Sequence, residues 1–343
     1  MSDGDLFAAW GDGLVDFWGR RENGPRVRRA FHLFGWPVIL TSNRLECLQA
    51  VDVSLPLFSA APARDLEPLR VHIAVRQMPV DPGPVPDDLF TRIQYSGHGE
   101  WLAMHIGAWG LAHMALGQGH ALAVIAPQLA QNPDRLSRHV LNTIFLNLLE
   151  NRGFSLLHAT SVVHGDRILL LLGQHNSGKS TTALRLALHG YDFMADSMTF
   201  IAPFSDEMQL SGFPVGLAKL RPDMLPSFPE LQALFQREIT REEVKFDLDL
   251  RRVDKVSVRQ EAVIAPHRID LYLLQRHEGR DSRLAPVAPE DVFQALFHNS
   301  AYWHSAEFWQ RHIARLQRLL AAARCRRLLL GSDTGSLLEA LDG

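Results

Sequence analysis

The chain has 343 residues, of which 46% are hydrophobic and 21% charged, and its formal net charge is −3 at pH 7. This composition is typical of a soluble globular protein and excludes the fibrous and disordered classes, while the small net charge offers no general attraction for nucleic acid. The two cysteines, Cys47 and Cys325, lack the spacing of a zinc site or a disulfide framework. The length predicts two domains, which we assign to residues 1–150 and 151–343.

The sequence also carries information about location. Residues 1–5 are polar and acidic, without the basic and apolar pattern of a signal peptide. The longest dense apolar run, residues 168–172, is far shorter than the roughly 20 residues that span a bilayer. We therefore expect a cytoplasmic protein with no membrane span and no nucleic-acid partner.

The N-terminal half mixes helical and strand patterns. Residues 6–18 repeat apolar side chains at helical spacing, and burial of this face against the same protein is favoured over docking on a membrane. Four prolines in residues 79–86 predict a loop or linker. Periodicity predicts strands at 36–40, 71–75, 101–106 and 121–125, and helices at 42–51 and 134–151. This mixture predicts a small N-terminal α+β domain.

A regular α/β order begins at residue 154. Residues 156–163 and 167–172 predict two strands joined by a tight turn at 164–166, followed by a glycine-rich turn, a helix at 180–188 and a strand at 193–201. Further patterns predict a strand at 269–274, a charged turn at 278–283, helices at 289–297 and 308–323, and a last short strand at 328–330. Strand, glycine-rich turn, helix and strand form the context that a phosphate-binding loop requires.

The glycine-rich turn matches a P-loop. The pattern of Gly, four free positions, Gly, Lys and Ser is supplied by Gly173, Gln174, His175, Asn176, Ser177, Gly178, Lys179 and Ser180, and the helix continues at Thr181. Loop N–H groups and the helix start form an anion site, the lysine reaches the β and γ phosphates, and the serine hydroxyl binds Mg²⁺. The alternative, a glycine-rich turn that merely contains lysine, is disfavoured by the strand and helix around it. The motif therefore predicts a Mg-nucleotide site.

Two further residues are candidates for the reaction centre. Asp196 follows Lys179 by 17 residues, near the end of the next strand, where a carboxylate can hold Mg²⁺ or accept a proton from an attacking hydroxyl. It could instead cap a turn. His158 lies among apolar residues of the strand before the P-loop, and a histidine in that setting is more often a core residue than a catalytic one.

At these residues the chain resembles HPr kinase/phosphorylase and the wider group of HPr-kinase-related proteins, whose nucleotide domain is similar to that of phosphoenolpyruvate carboxykinase. The shared order is a strand histidine, a turn, the P-loop, a helix ending in glycine, and an Ala-Asp strand, seen here as His158, Gly165, residues 173–180, Gly190 and 195–197. Residues 211–214 (SGFP) and 217–220 (LAKL) also resemble a segment of that group. The resemblance covers residues 154–220 well.

The resemblance implies the function as well as the fold. It implies a phosphoenolpyruvate carboxykinase-like P-loop domain in a chain that is α+β overall, and an ATP- and Mg²⁺-dependent kinase. The γ-phosphoryl group would pass to a hydroxyl, most simply a serine of a small protein or peptide. The N-terminal domain would recognise this acceptor or mediate assembly into a homo-oligomer.

By the same resemblance, Lys179 and Ser180 would hold phosphates and Mg²⁺, Asp196 would be the metal ligand or general base, and His158 would line the reaction centre. The family's second aspartate is replaced by Ser197, and Asp206 or Glu207 could take its part. This departure keeps open a nucleotide-binding regulatory protein with little transfer. A kinase of a small metabolite also stays open, because the sequence does not specify the acceptor pocket. Lys219, Arg221 and Lys245 are candidates for contact with substrate or the γ-phosphate, or are solvated surface residues.

Overall fold

The computed structural model describes residues 26–54, 66–213, 216–239, 244–259, 265–297 and 306–342. The architecture is mixed α/β with several sheets and helices, and is α+β overall. The chain divides into two compact units, one formed by Met1–Arg152 with Ile239–Glu243 and the other by Gly153–Glu238 with Val244–Gly343. The helix predicted at 6–18 lies outside the described residues.

Within the described residues, the first unit contains one seven-stranded sheet in the order β1-β2-β3-β7-β6-β5-β4. The pairs β2–β3 and β3–β7 are parallel and the other pairs are antiparallel. The strands are β1 (Val27–Leu33), β2 (Trp36–Ser42), β3 (Leu69–Val75), β4 (Ile93–His98), β5 (Trp101–Ile106), β6 (Gly110–Ala115) and β7 (His120–Ile125). The four strands predicted from alternation in this half are thereby confirmed.

Short helices accompany this sheet. They are α1 (Leu45–Gln49), α2 (Val51–Ser54), α3 (Pro127–Ala130), α4 (Pro133–Arg135), a π-helix (Leu136–Leu141), α5 (Asn142–Asn151), and 3₁₀ turns at Leu89–Arg92 and Gly107–Trp109. The helix predicted over 134–151 is therefore helical throughout but changes its winding twice. Asn132 caps its start by accepting a hydrogen bond from the Arg135 N–H at 3.1 Å.

The described part of the second unit contains a six-stranded sheet, β11-β9-β10-β17-β19-β18, and two three-stranded sheets, β13-β12-β8 and β14-β16-β15. The strands are β8 (Ser155–Leu157), β9 (Thr160–His164), β10 (Arg167–Leu172), β11 (Asp192–Ala195), β12 (Thr199–Ile201), β13 (Leu210–Gly212), β14 (Leu217–Leu220), β15 (Gln236–Ile239), β16 (Val244–Asp249), β17 (Arg268–Arg276), β18 (Arg283–Ala285) and β19 (Ala323–Leu330). The helices are α6 (Lys179–Ala187), α7 (Pro289–Phe297), α8 (Ala306–Ala322) and α9 (Thr334–Asp342), with 3₁₀ segments at Pro222–Ser227, Pro229–Leu234 and Leu250–Arg252. None of the helices in the described ranges is both long and apolar enough to cross a membrane.

Strand direction in the six-stranded sheet decides which residues meet at its edge. β10, β17 and β19 are mutually parallel, whereas β9 pairs antiparallel with both β10 and β11. β11 therefore runs in the same direction as β10. The carboxyl ends of β10, β11, β17 and β19 and the beginning of β9 consequently lie at one edge of the sheet.

Helices cover both faces of this sheet. Leu169 and Leu171 of β10 belong to a core cluster with Ala183 and Leu184 of α6, and the cluster extends to Leu337 of α9. The alternate residues of the same strand pack toward α7 and α8 in a second cluster. Burial on both faces explains why β10 is a continuous apolar run rather than an alternating one.

Two strands predicted as continuous are each broken in the structure. Residues 156–163 form β8 and β9, and residues 193–201 form β11 and β12, which belong to different sheets. The two breaks lie side by side, because Leu157 pairs with Thr199 on one side of them and Ser161 pairs with Ala195 on the other. The hydrophobic pattern could not reveal either break, because the residues on both sides of each break are apolar.

Candidate functional site

The predicted P-loop is a tight turn that follows β10 directly. Gly173 and Gly178 have φ angles of 145° and 102°, in a region that other residues rarely adopt. A Cβ at Gly173 would lie 2.7 Å from the Ser177 hydroxyl, and one at Gly178 would lie 3.2 Å from a Leu330 methyl group. Both glycines are therefore required by backbone conformation and by space.

The loop leads into the amino end of α6. Gly178 is the N-cap residue, in left-handed conformation and without a side chain to accept a hydrogen bond. The first N–H groups of a helix have no intrahelical acceptor and carry partial positive charge. The start of α6 can therefore bind an anion with backbone groups.

Lys179 is folded back over this loop. Its side chain is 6% exposed, and Nζ donates hydrogen bonds to the backbone oxygens of Gly173 at 2.8 Å and Gln174 at 3.1 Å. Burial lowers the pKa of Lys179 to about 8, Asp196 opposes this shift and Lys245 adds to it. The ammonium group is thus present at neutral pH, although its surroundings disfavour the charge.

Asp196 is the centre of the hydrogen-bond network. Its Oδ1 accepts hydrogen bonds from the hydroxyls of Ser180 at 2.7 Å, Thr160 at 2.9 Å and Ser197 at 3.2 Å. Its Oδ2 accepts one from the Lys219 N–H at 2.8 Å. The carboxylate, which is 5% exposed, is thereby held in one orientation beside the P-loop serine.

The breaks between strands create this arrangement. Ser197, two residues after the end of β11, has a φ of 69°, and its N–H donates to the Thr160 hydroxyl at 3.1 Å. The Thr199 hydroxyl donates to the Ala159 oxygen at 3.0 Å and shares a second hydrogen bond with the Ser161 hydroxyl at 2.9 Å, which joins the two breaks. Thr160 escaped the sequence analysis because one threonine in an apolar strand carries no motif.

His158 occupies the break between β8 and β9. Burial and then the charge of Lys179 lower its pKa to about 4, against the opposing effect of Asp196. The imidazole is therefore neutral at pH 7. It lies within electrostatic range of the P-loop lysine and of the central carboxylate, so the structure brings all three sequence-predicted residues together.

A three-stranded sheet borders the same site. Lys219 of β14 pairs with Asp247 of β16, and Lys245 lies two residues earlier on the same face of β16. Lys245 lowers the pKa values of both Lys179 and His158. Of the other predicted contacts, Arg221 instead pairs with Asp223 at 3.0 Å.

Asp206 and Glu207 lie elsewhere. Both belong to the turn that follows β12 and leads to β13, whereas Asp196 lies before the start of β12. There they line a cavity of about 360 Å³ together with Arg315 and Arg318. The structure therefore does not bring either carboxylate to the P-loop.

The residues fit a Mg-nucleotide. Ser177 Oγ is buried and has no hydrogen-bond partner among the described residues. A hydroxyl and a carboxylate in contact, Ser180 and Asp196, are the oxygen ligands that Mg²⁺ prefers. No protein-family model and no curated protein matches this chain.

Proposed function

We propose that this chain is an ATP-dependent kinase with an HPr-kinase-like nucleotide domain, similar to that of phosphoenolpyruvate carboxykinase. It transfers the γ-phosphoryl group to a hydroxyl, most simply a serine of a small protein or peptide. The observation that carries the proposal is the 2.7 Å hydrogen bond from Ser180 to Asp196 at the start of the P-loop helix. It joins the hydroxyl and the carboxylate that phosphoryl-transfer sites use for Mg²⁺.

The loop and the lysine bind the phosphates. Loop N–H groups and the start of α6 bind the phosphate anion by donating hydrogen bonds to it. Lys179 exchanges its hydrogen bonds to two loop carbonyl oxygens for hydrogen bonds to phosphate oxygens. Ser180 and Asp196 would hold Mg²⁺, which would supply positive charge to offset the negative charge that develops during transfer. Because these groups are already oriented, little reorganisation is required on binding.

The acceptor hydroxyl approaches from the side of Asp196 and His158. Asp196 Oδ2 accepts one hydrogen bond from the Lys219 N–H, which leaves a lone pair for the hydroxyl proton. His158 is neutral at pH 7 and can orient the same hydroxyl. A bond forms between the acceptor oxygen and the γ-phosphorus as the bond to ADP breaks, and the proton passes to the carboxylate.

One observation favours a second candidate, a nucleotide-binding regulatory protein. At the position of the family's second aspartate, Ser197 donates a hydrogen bond to Asp196 instead of adding a carboxylate. The site would then have one carboxylate for both metal binding and proton transfer. Such a protein would bind Mg-nucleotide tightly and turn it over slowly.

The two candidates differ in turnover. We would measure ADP release from Mg-ATP with and without serine peptides, for the wild type, Lys179→Ala and Asp196→Asn. A kinase shows peptide-dependent release that falls at least about a hundredfold in both variants, since each removes a group that stabilises the transition state. Tight ATP binding with no release for any acceptor would support the regulatory protein, and no ATP binding would exclude both.

Thr160 supplies a matched control for this experiment. Thr160→Val keeps the shape but removes the donor to Asp196 and the acceptor for the Ser197 N–H, whereas Thr160→Ser keeps both. We expect the valine variant to lose turnover and Mg²⁺ affinity and the serine variant to retain them. Equal activity in the two variants would show that the hydroxyl does not orient the carboxylate.

A further inference from the structure

Strand β17 forms a wall beside the P-loop. Leu172, the last residue of β10, pairs with Leu273, and β17 continues for three more residues to Arg276. The Leu274 carbonyl oxygen lies 3.3 Å from the position that a Cβ would take at Gly173. The last three residues of β17 therefore lie beside the P-loop.

Arg276 projects toward the P-loop helix. It shares a face of β17 with Tyr272 and Leu274, both of which pack in the core cluster that contains α6. Its Nε lies 3.7 Å from the position of a Cβ at Gly178. Its backbone is fixed by pairing with Leu330, whose carbonyl oxygen accepts a hydrogen bond from the His277 N–H.

The guanidinium group is available for a ligand. Arg276 is exposed, and within the described ranges its side chain makes no hydrogen bond or ion pair. Arg276 lies within electrostatic range of another arginine, Arg185 of α6, whose pKa is lowered by burial and then by Arg276, against the effect of Asp333. Arg185 lies in the last turn of α6, and a cation that faces another cation is stabilised when an anion binds beside it.

We propose that Arg276 is a further phosphate-binding residue, which contacts the nucleotide from the side of the P-loop opposite Asp196. This inference rests on the proposed nucleotide site and assigns a second group to it. The carboxyl ends of parallel strands are where α/β sheets bind ligands, and β17 ends at that edge. A guanidinium group can donate two parallel hydrogen bonds to phosphate oxygens, which the P-loop lysine cannot do.

The test is calorimetric titration of the full-length chain with ADP and with inorganic pyrophosphate. We expect Arg276→Gln to weaken both by about tenfold or more, because a charge-assisted hydrogen bond is lost. Arg276→Lys should recover only part of the loss, since a point charge replaces the fork. The matched control is Arg324→Gln, an exposed arginine on β19 at the amino end of the same sheet, which should bind both ligands like the wild type.

The outcomes separate this inference from the proposed function. If ADP binding weakens and pyrophosphate binding does not, Arg276 contacts the base or ribose and the phosphate assignment is wrong. If the wild type and Arg276→Gln bind equally while Lys179→Ala does not bind, the inference fails and the nucleotide site stands. If the wild type binds neither ligand, the proposed function fails and the inference fails with it. Equal melting temperatures of all variants would show that the fold is intact.

Discussion

At the scale of single residues, Lys179 combines burial with a weak set of partners. Among the described residues, its ammonium group donates hydrogen bonds only to backbone oxygens of its own loop, which bear partial charges. Burial lowers its pKa to about 8, so the free protein begins to lose this charge in the mildly alkaline range. Binding of a phosphate anion favours the charged form and raises the pKa again.

Nucleotide affinity should therefore depend on pH. Above pH 8 the free protein must take up a proton on Lys179 when ADP binds, so the affinity for ADP should fall as pH rises, by at most about tenfold per pH unit. Calorimetry at pH 7.5, 8.5 and 9.5 measures this slope, and buffers of different ionisation enthalpy measure the proton uptake. Lys179→Arg stays charged over this range and should show no slope. A flat profile for the wild type would contradict the lowered pKa.

The sequence revealed part of the site and concealed the rest. Lys179, Ser180 and Asp196 are recognisable because the P-loop has a fixed spacing and its context is periodic. Thr160 hydrogen-bonds to Asp196, and Arg276 lies beside Gly178, yet both lie on strands whose pairing order no local pattern encodes. The structure alone shows that β9 and β17 flank β10 on either side.

At the scale of elements, the hydrophobic periodicity could not predict the points at which the chain passes from one sheet to another. The strand at 269–274, the helix at 289–297 and the hairpin turn at 164–166 are confirmed, because each has one hydrophobic pattern and clear ends. The strands at 156–163 and 193–201 were wrong as single strands, since a chain buried on both sides of a break keeps its apolar character. The last strand was also longer than predicted, because the alternating arginines of β19 hid its first half.

Gly212 of β13 lies so close to β11 that there is no room for a side chain. A Cβ there would lie 2.5 Å from the Met194 carbonyl oxygen and 2.9 Å from the Ala195 Cβ. We expect Gly212→Ala to force β13 away from β11 and to lower the free energy of unfolding by about 1–3 kcal/mol, a typical cost of overpacking.

Urea denaturation measures this loss, and Gly335→Ala provides the control. Among the described residues, the Cβ at Gly335 in helix α9 would approach only the Asp333 carboxylate, at 3.2 Å, and this end of a side chain needs to shift by a few tenths of an ångström to make room. A helical Gly→Ala change in available space is neutral or stabilising by up to about 1 kcal/mol. Equal stability of Gly212→Ala and the wild type would mean that β11 and β13 can separate without cost.

At the scale of the whole molecule, helix α9 packs on the second unit at the edge of the six-stranded sheet opposite the P-loop. Arg167 at the start of β10 forms an ion pair with Asp270 and donates a hydrogen bond to the Leu341 oxygen of α9 at 2.9 Å. Leu337 and Leu341 of this helix are 0% and 2% exposed. The helix α9 was not predicted, because it is short and a glycine, Gly335, stands in its first turn.

Removal of the Leu337 side chain should destabilise this unit strongly. Leu337→Ala leaves a cavity in the core cluster that also supports α6, and we expect a loss of about 2–5 kcal/mol in the free energy of unfolding. Glu339→Ala, on the exposed face of the same helix, should change it by less than about 0.5 kcal/mol. Denaturant titration compares the two variants, and similar midpoints would show that α9 contributes little to this core.

The turn between β9 and β10 offers a position for protein engineering. Because β9 begins and β10 ends at the P-loop edge, the hairpin that joins them lies at the opposite edge of the sheet. Gly165 in this turn is exposed, and a Cβ built there would meet no atom of the described residues within 4 Å. A fluorophore or affinity tag inserted before Gly165 would report on the assembled sheet from a distance, and would leave the phosphate-binding end open to ligands.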